Sequence, residues 1–141
     1  MISKIVIDTN VIVSAALSPK GNPARILDLV ADDAEIEVYY SAEMMAEYEK
    51  VLSRDYLNIS YDAQHAMIEA IKSVGIPIKP SASGKSMPDE DDRVFYDTAK
   101  ASEAILITGN KKHYPDEPFI MTPADFLAQY QTGTTGKTSN E

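Results

Sequence analysis

Short runs of apolar residues alternate along this chain with longer stretches in which apolar residues recur at three- and four-residue intervals. The short runs are typical of strands and fall at 4–7, 35–40, 76–78, 105–108 and 119–121. The longer stretches are typical of amphipathic helices and fall at 11–17, 22–30, 41–54, 62–74, 89–103 and from 122 onward. Strands that alternate with helices predict a mostly parallel sheet with helices on both faces.

Turn and capping residues set the expected boundaries of these elements. Asn22, Ser41 and Thr122 each precede a helical stretch and are residue types that cap helix N-termini. Gly75 ends the helix 62–74, and Pro77 predicts that the next strand lies at an edge or ends there. We expect that helix to bury one face, made by Ala63, Ala66, Met67, Ala70, Ile71 and Val74.

The length of 141 residues favours one compact domain, which we place at 1–131, with a flexible tail at 132–141 that is rich in glycine, threonine and serine. The chain has no cysteine, so disulfides and thiolate metal sites are excluded. No apolar run reaches the length of about 20 residues needed to span a membrane. We therefore expect a cytoplasmic protein that does not enter the membrane.

The formal net charge of −9 argues against a surface built to neutralise nucleic-acid phosphates with lysine and arginine. It does not exclude nucleic acid as a substrate. Several carboxylates that share one cleft can hold a divalent cation, and that cation can in turn attract a phosphodiester. For most of the acidic residues, solubility is a sufficient explanation.

Three acids stand at positions where apolar packing would hold them. Asp8 follows the first strand, Glu47 borders the apolar face of the helix 41–54, and Asp92 precedes the apolar face of the helix that ends near Glu103. Each has a simpler interpretation. Asp8 could cap a helix, Glu47 could lie on a solvated helix flank, and the run 89–92 could complement a helix dipole.

As a group, converging carboxylates repel one another and imply a balancing cation. Hard oxygen ligands suit Mg²⁺ or Mn²⁺, which bridge to substrate phosphate. A cation held in this way can polarise a phosphoryl oxygen and activate a water molecule. Hydrolysis of a phosphodiester is the natural use of such a site.

Four segments of the chain form an ordered set. They are Asp8-Thr9-Asn10-Val11, then Ser41 with Glu47-Tyr48 and Val51-Leu52, then Asp89 to Asp92 with Phe95 and Ala99, then Ile107 to Pro115. In order and spacing, this set resembles the PIN domain family, specifically the VapC-like ribonucleases that are the toxin components of toxin–antitoxin systems. The resemblance covers roughly 2–130, and no single segment is specific, whereas the ordered set is.

This resemblance implies a three-layer α/β/α fold, a sheet of order 3-2-1-4-5 and Mg²⁺- or Mn²⁺-dependent cleavage of RNA. It also implies a small antitoxin partner and a homodimer. The implied catalytic residues are Asp8, Glu47 and Asp92, and the implied metal ligands add Asp91 and Asn110. Thr9, Asn10 and Thr108 are expected to orient these groups or the substrate.

Asn110 departs from the family pattern, because many members carry a fourth acid there. An amide oxygen can coordinate a cation but adds no negative charge, so one metal ion is better supported than two. The departure also leaves open a catalytically weak or inactive PIN-like module that acts through a partner. A phosphatase of the haloacid dehalogenase type is disfavoured, because Asn10 stands where that class needs its second acid.

Overall fold

The computed structural model describes residues 3–130, whereas the expected tail at 132–141 lies outside the described residues. Three short 3-10 turns accompany the regular elements, at Asp55–Leu57, Glu90–Asp92 and Lys111–His113. The strands are β1 (Ser3–Ile7), β2 (Ile36–Tyr40), β3 (Ile76–Pro77), β4 (Ile105–Ile107) and β5 (Ile120–Met121). The helices are α1 (Thr9–Leu17), α2 (Asn22–Asp32), α3 (Ala42–Leu52), α4 (Tyr61–Val74), α5 (Arg93–Ser102) and α6 (123–130).

The five strands form one sheet in the order β3-β2-β1-β4-β5, and every neighbouring pair is parallel. This confirms the expected α/β fold and its strand order. Parallel strands need helical crossovers, which the intervening helices supply. Strand β3 lies at an edge of the sheet, where Pro77 removes no hydrogen bond that the sheet needs.

The sheet is covered on both faces, as the three-layer expectation required. Ile5, Val6 and Ile7 are consecutive in β1 and point to alternate faces, yet each is at most 1 % exposed. Helix α5 packs against β1, β2 and β4, while α2 and α4 both contact β2. The helices therefore enclose the central strands, and the core lies between the sheet and the inner faces of the helices.

Local capping explains where several helices begin. The hydroxyl of Ser41 accepts a hydrogen bond from the backbone N–H of Met44, so Ser41 caps α3 as expected. Thr122 caps α6 in the same way. The expectation that Asn22 caps α2 is wrong by one residue, because Gly21 is the cap and Asn22 begins the helix.

The apolar face of α4 differs from the expected one. Ile68 and Ile71 are buried and Met67 is partly buried, whereas the alanine side of the helix and Val74 stay exposed. Helix α4 contacts α2, α3 and β2. These neighbours cover only the narrower Ile68 side, and the small alanine side chains offer little apolar surface to bury.

The long connection between β3 and α5 is fastened to α5. Asp97 is buried and accepts a hydrogen bond from the hydroxyl of Ser83, while the guanidinium of Arg93 donates to the carbonyl of Lys85. Arg93 also pairs with Glu90 at 2.6 Å. These contacts fix the chain that leads into the acidic run 89–92. Among residues 3–130, no helix is both long and apolar enough to cross a membrane.

Gly75 provides a test of how tightly the junction between α4 and β3 is packed. A Cβ atom at this position would lie 2.7 Å from the carbonyl oxygen of Ile71 and 2.7 Å from the ring of Tyr40. Gly75→Ala is expected to lower the free energy of unfolding by about 1–3 kcal/mol, because the backbone must shift to relieve the overlap. Urea denaturation measures this loss.

Gly21→Ala is the matched control, since a Cβ atom added there would lie 3.5 Å from its nearest neighbour, the carbonyl oxygen of Ser18. Its effect should stay well under about 1 kcal/mol. If Gly75→Ala lowers the free energy of unfolding no more than Gly21→Ala does, the junction between α4 and β3 tolerates a side chain.

Candidate active site

The candidate site lies where β1 and β4 end side by side. Ile7 pairs with Ile107 in register, and the backbone N–H of Asp8 donates to the carbonyl of Ile107 at 2.9 Å. Asp8 and Thr108 are the next residues of the two strands. Parallel strands bring their carboxyl ends to the same edge of the sheet, which is where ligands bind in such folds.

The carboxylate of Asp8 does not cap α1, although Asp8 occupies the capping position. It is 4 % exposed, and its Oδ2 accepts hydrogen bonds from Thr108 Oγ1 and from the Tyr114 hydroxyl, both at 2.8 Å. Asn10 Nδ2 is a longer third donor at 3.4 Å. All hydrogen bonds that the described residues donate to this side chain reach Oδ2, so the lone pairs of Oδ1 are left for another ligand.

Asn10 joins the beginning of α1 to the loop after β4. Its Nδ2 lies 3.3 Å from Thr108 Oγ1, and its Oδ1 accepts the backbone N–H of Gly109 at 2.9 Å. The backbone N–H of Asn110 in turn donates to Thr108 Oγ1. The expected supporting residues Asn10 and Thr108 thus contact Asp8 and each other.

Two buried tyrosines surround Asp8. The Tyr48 hydroxyl donates to the carbonyl of Ile7, and burial together with the Asp8 charge raises the pKa of Tyr48 well above its usual value. Burial also raises the pKa of Tyr114 far above its usual value, with further increases from the charge and hydrogen bond of Asp8 and from the charge of Asp92. Both hydroxyls therefore keep their protons and act as donors.

Asp92 lies at the end of the 3-10 turn Glu90–Asp92, directly before α5. The pKa of Asp92 is raised from 3.8 to about 6, chiefly by burial and then by the charges of Asp8, Asp89 and Asp91, while the charge of His113 opposes the increase. The charge of Asp8 raises the pKa of both Asp92 and Tyr114. The carboxylates of Asp8 and Asp92 therefore share one electrostatic environment.

A compact group of possible metal ligands surrounds Asp92. One ligand atom each of Asp89, Asp92 and His113 lie within 4.8 Å of one another. His113 Nδ1 lies 3.2 Å from Asp92 Oδ2, and its Nε2 lies 2.9 Å from Asn110 Nδ2. Asn110, an expected metal ligand, therefore contacts the far side of the histidine ring.

The remaining expected site residues, Glu47 and Asp91, are more exposed to solvent than Asp8. Glu47 is half-buried on α3, directly before the buried Tyr48, and Asp91 is exposed. The backbone N–H of Asp91 donates to Asp89 Oδ1. Among residues 3–130, Asp8, Glu47 and Asp91 lie outside the group of ligand atoms centred on Asp92.

Two buried side-chain oxygens in the described chain lack a hydrogen bond, namely Thr9 Oγ1 and Asp92 Oδ2. The contact of Asp92 Oδ2 with His113 does not have hydrogen-bond geometry. Both belong to expected site residues. Buried polar atoms without a hydrogen bond are rare in folded proteins and point to a missing ligand such as an ion or water. A carboxylate oxygen that already carries charge and has no donor is suited to a divalent cation, so the residues present fit one.

Sequence reasoning does not single out three members of this site, namely Asp89, His113 and Tyr114. Asp89 falls in the run 89–92, for which the sequence offers the simpler interpretation of a complement to the helix dipole. The spacing of three residues between Asp89 and Asp92 is a signal that both face one side of a helical turn. For His113 and Tyr114 the sequence holds no comparable signal, because their contacts reach across the fold.

The PIN domain family profile matches residues 4–112. The uncharacterized protein MJ1680 of Methanocaldococcus jannaschii is 39 % identical over 112 residues, which are 77 % of this chain and 71 % of that protein. The chain therefore belongs to the PIN domain family.

Two solved structures share this fold. VapBC2 from Rickettsia felis, bound to a DNA fragment from its promoter, aligns with a TM-score of 0.58 and 19 % identity, over 84 % of this chain and 96 % of that chain. PAE2754 from Pyrobaculum aerophilum aligns with a TM-score of 0.60 and 10 % identity, over 92 % of this chain and 90 % of that chain.

The raised pKa of Asp92 predicts a specific pH dependence of stability. Between pH 3.8 and about 6 the unfolded chain loses this proton while the folded chain retains it. Stability contributed by Asp92 therefore falls as the pH rises through this window, by at most about 3 kcal/mol in total, and by less where solvent screens the charge. Asp92→Asn lacks this loss, so its stability relative to wild type should increase from about pH 4 to about pH 6 and then level off.

Urea denaturation of both proteins across this pH range, without divalent cations, checks the prediction. Asp62→Asn changes an exposed aspartate of α4 and serves as the control. Parallel curves for wild type and Asp92→Asn would contradict the proposed environment of Asp92.

Proposed function

We propose that this protein is a metal-dependent endoribonuclease that hydrolyses RNA phosphodiester bonds and serves as the toxin of a toxin–antitoxin pair. The observation that carries the proposal is the buried Oδ2 of Asp92, which has no hydrogen bond and whose carboxyl group responds to the charge of Asp8 at the carboxyl end of β1. Membership of the PIN domain family supports nuclease chemistry at this position.

The proposed cation is Mg²⁺ or Mn²⁺, held by Asp8 and Asp92 with Glu47 as the third acid. It would supply charge to stabilise the phosphoryl oxygens and a bound water of lowered pKa. Asp91 and Asn110 are proposed as further ligands, directly or through water. Asp89 and His113 enlarge this ligand set, because the structure places their ligand atoms near Asp92.

The chain's own residues prepare Asp8 for this role. Thr108 and Tyr114 hold Oδ2, so the carboxylate cannot rotate freely and Oδ1 is presented in one direction. Asn10 holds the loop after β4 against the beginning of α1. Thr9 contributes a buried hydroxyl oxygen with no hydrogen bond beside Asp8, and we propose that it orients a water molecule of the site.

The proposed partners are an RNA substrate, a small antitoxin and a second copy of this chain, in the cytoplasm. The fold shared with VapBC2 of Rickettsia felis supports the antitoxin partner. The alternative is a PIN-like binding module without turnover, which the amide at Asn110 favours because it removes one acid from the family pattern.

Cleavage of an RNA pool in the presence of Mn²⁺ tests the catalytic proposal. Asp8→Asn and Asp92→Asn should each lower the cleavage rate at least about a hundredfold, since even the outer hydrogen-bond partner of a metal ligand contributes about 10- to 100-fold. Glu47→Gln should lower it as well, because it removes the third charge. Asp62→Asn and Glu69→Gln, both exposed on α4, should retain the wild-type rate.

Equal cleavage by wild type and all the variants would identify a contaminating nuclease and count against catalysis. Cation binding by a wild-type protein that cleaves no RNA, tested with its antitoxin removed, would instead favour the binding module.

Thermal melting with and without Mn²⁺ tests the metal site independently of any substrate. A cation that binds only the folded chain should stabilise it by about 2.7 kcal/mol at a hundredfold excess over its dissociation constant. Asp8→Asn should lose most of the Mn²⁺ response, because a neutral amide replaces a charged ligand of the proposed site. A full response in Asp8→Asn would show that the cation binds elsewhere.

A further inference from the structure

A groove of about 350 Å³ opens next to the acid site, outside the group of carboxylates. It lies between the beginnings of α1, α2 and α6 and the loop that follows β4. Its lining includes Asn10, Ser14, Pro23, Asn110, His113 and Pro123. This volume falls at the lower end of the range of about 300–1,000 Å³ that is typical of small-molecule sites.

The groove shares a wall with the candidate active site. Asn10 donates to Asp8 from this wall, and His113 lies 3.2 Å from Asp92 with its other ring nitrogen toward Asn110. A molecule seated in the groove would therefore lie directly beside the two carboxylates. For a polymeric substrate, this is the position of the residue next to the bond that is cleaved.

The lining of the groove carries neither a carboxylate nor a lysine or arginine, although the chain has 22 acidic residues. Phosphate is disfavoured there, because no permanent cation would balance its charge. The prolines provide apolar surface, and the ring of His113, whose side chain is 47 % exposed, provides an aromatic face. Ser14 is exposed and offers a hydroxyl to the edge of a flat, uncharged ligand.

We propose that this groove is a base-binding subsite, which holds the nucleobase next to the scissile phosphodiester. A nucleobase combines an aromatic face with polar edges, and stacking on side chains such as histidine is a common way to bind single-stranded RNA. That the base lies next to the scissile bond rests on the proposed nuclease function. That the groove binds a base is independent of this function.

The test uses the four free nucleosides, which lack the phosphate that the acid site would repel, and EDTA to remove divalent cations. Titration of the ¹⁵N-labelled full chain should give weak, saturable shifts in the backbone amides of Ser14, Gly109, Asn110 and His113. Ser14→Trp fills the groove and should weaken binding at least about fivefold, because it removes the stacking of the base. Ser73→Trp, at an exposed serine of α4, should bind like wild type.

Ser14→Leu is a smaller substitution that keeps the test available should Ser14→Trp fail to fold, and thermal melting checks each variant. Absence of saturable shifts, shifts that map to another surface, or unchanged affinity in the folded Ser14 variants would each overturn the subsite. In an active enzyme, the Ser14 variants should also change the base preference next to the cleaved bond.

The nucleoside titration tests the subsite, and the cleavage assay tests the nuclease, so a negative result in one does not decide the other. Nucleoside binding in a protein that cleaves no RNA would retain the subsite and reject the nuclease. Metal-dependent cleavage without nucleoside binding would retain the nuclease and reject the subsite.

Discussion

The in-register pairing of β1 with β4 is the constraint on which the site depends. Ile7 and Ile107 are partners in the sheet, so the residues that follow them, Asp8 and Thr108, come together although they are 100 positions apart in the chain. A shift of either strand by one residue would turn the residue at its end to the opposite face of the sheet and separate Asp8 from Thr108. The hydrogen bond from the backbone N–H of Asp8 to the carbonyl of Ile107 belongs to this register.

Two carboxylates at this edge of the sheet experience opposite environments. Asp8 is almost fully buried but has two short hydrogen bonds and one longer one, which compensate for the loss of water around its charge. Asp92 is partly buried, and its Oδ2 has no hydrogen bond. Burial, together with the charge of Asp8, raises the pKa of Asp92. The site is thus fixed on one side and unsatisfied on the other, an arrangement that a bound cation would complete.

Much of the fold could be predicted from local patterns. The continuous apolar run before Asp8 predicted a strand buried on both faces, and Ser41 and Thr122 predicted helix starts that the structure confirms. The expected cap at Asn22 was off by one residue, since Gly21 and Asn22 are both residues that helix starts tolerate. The face of α4 was predicted too broadly, because periodicity shows which residues are apolar but not which neighbours cover them.

The sequence by itself determined the elements, the class of fold and the acids worth considering, because strand and helix periodicity, capping and charge are properties of neighbouring residues. Only the tertiary structure decided which of these residues meet. It turned the carboxylate of Asp8 toward Thr108 and Tyr114 instead of toward α1, and it brought His113 to Asp92. Such contacts depend on strand register and helix packing between segments distant in the chain, and no local pattern encodes them.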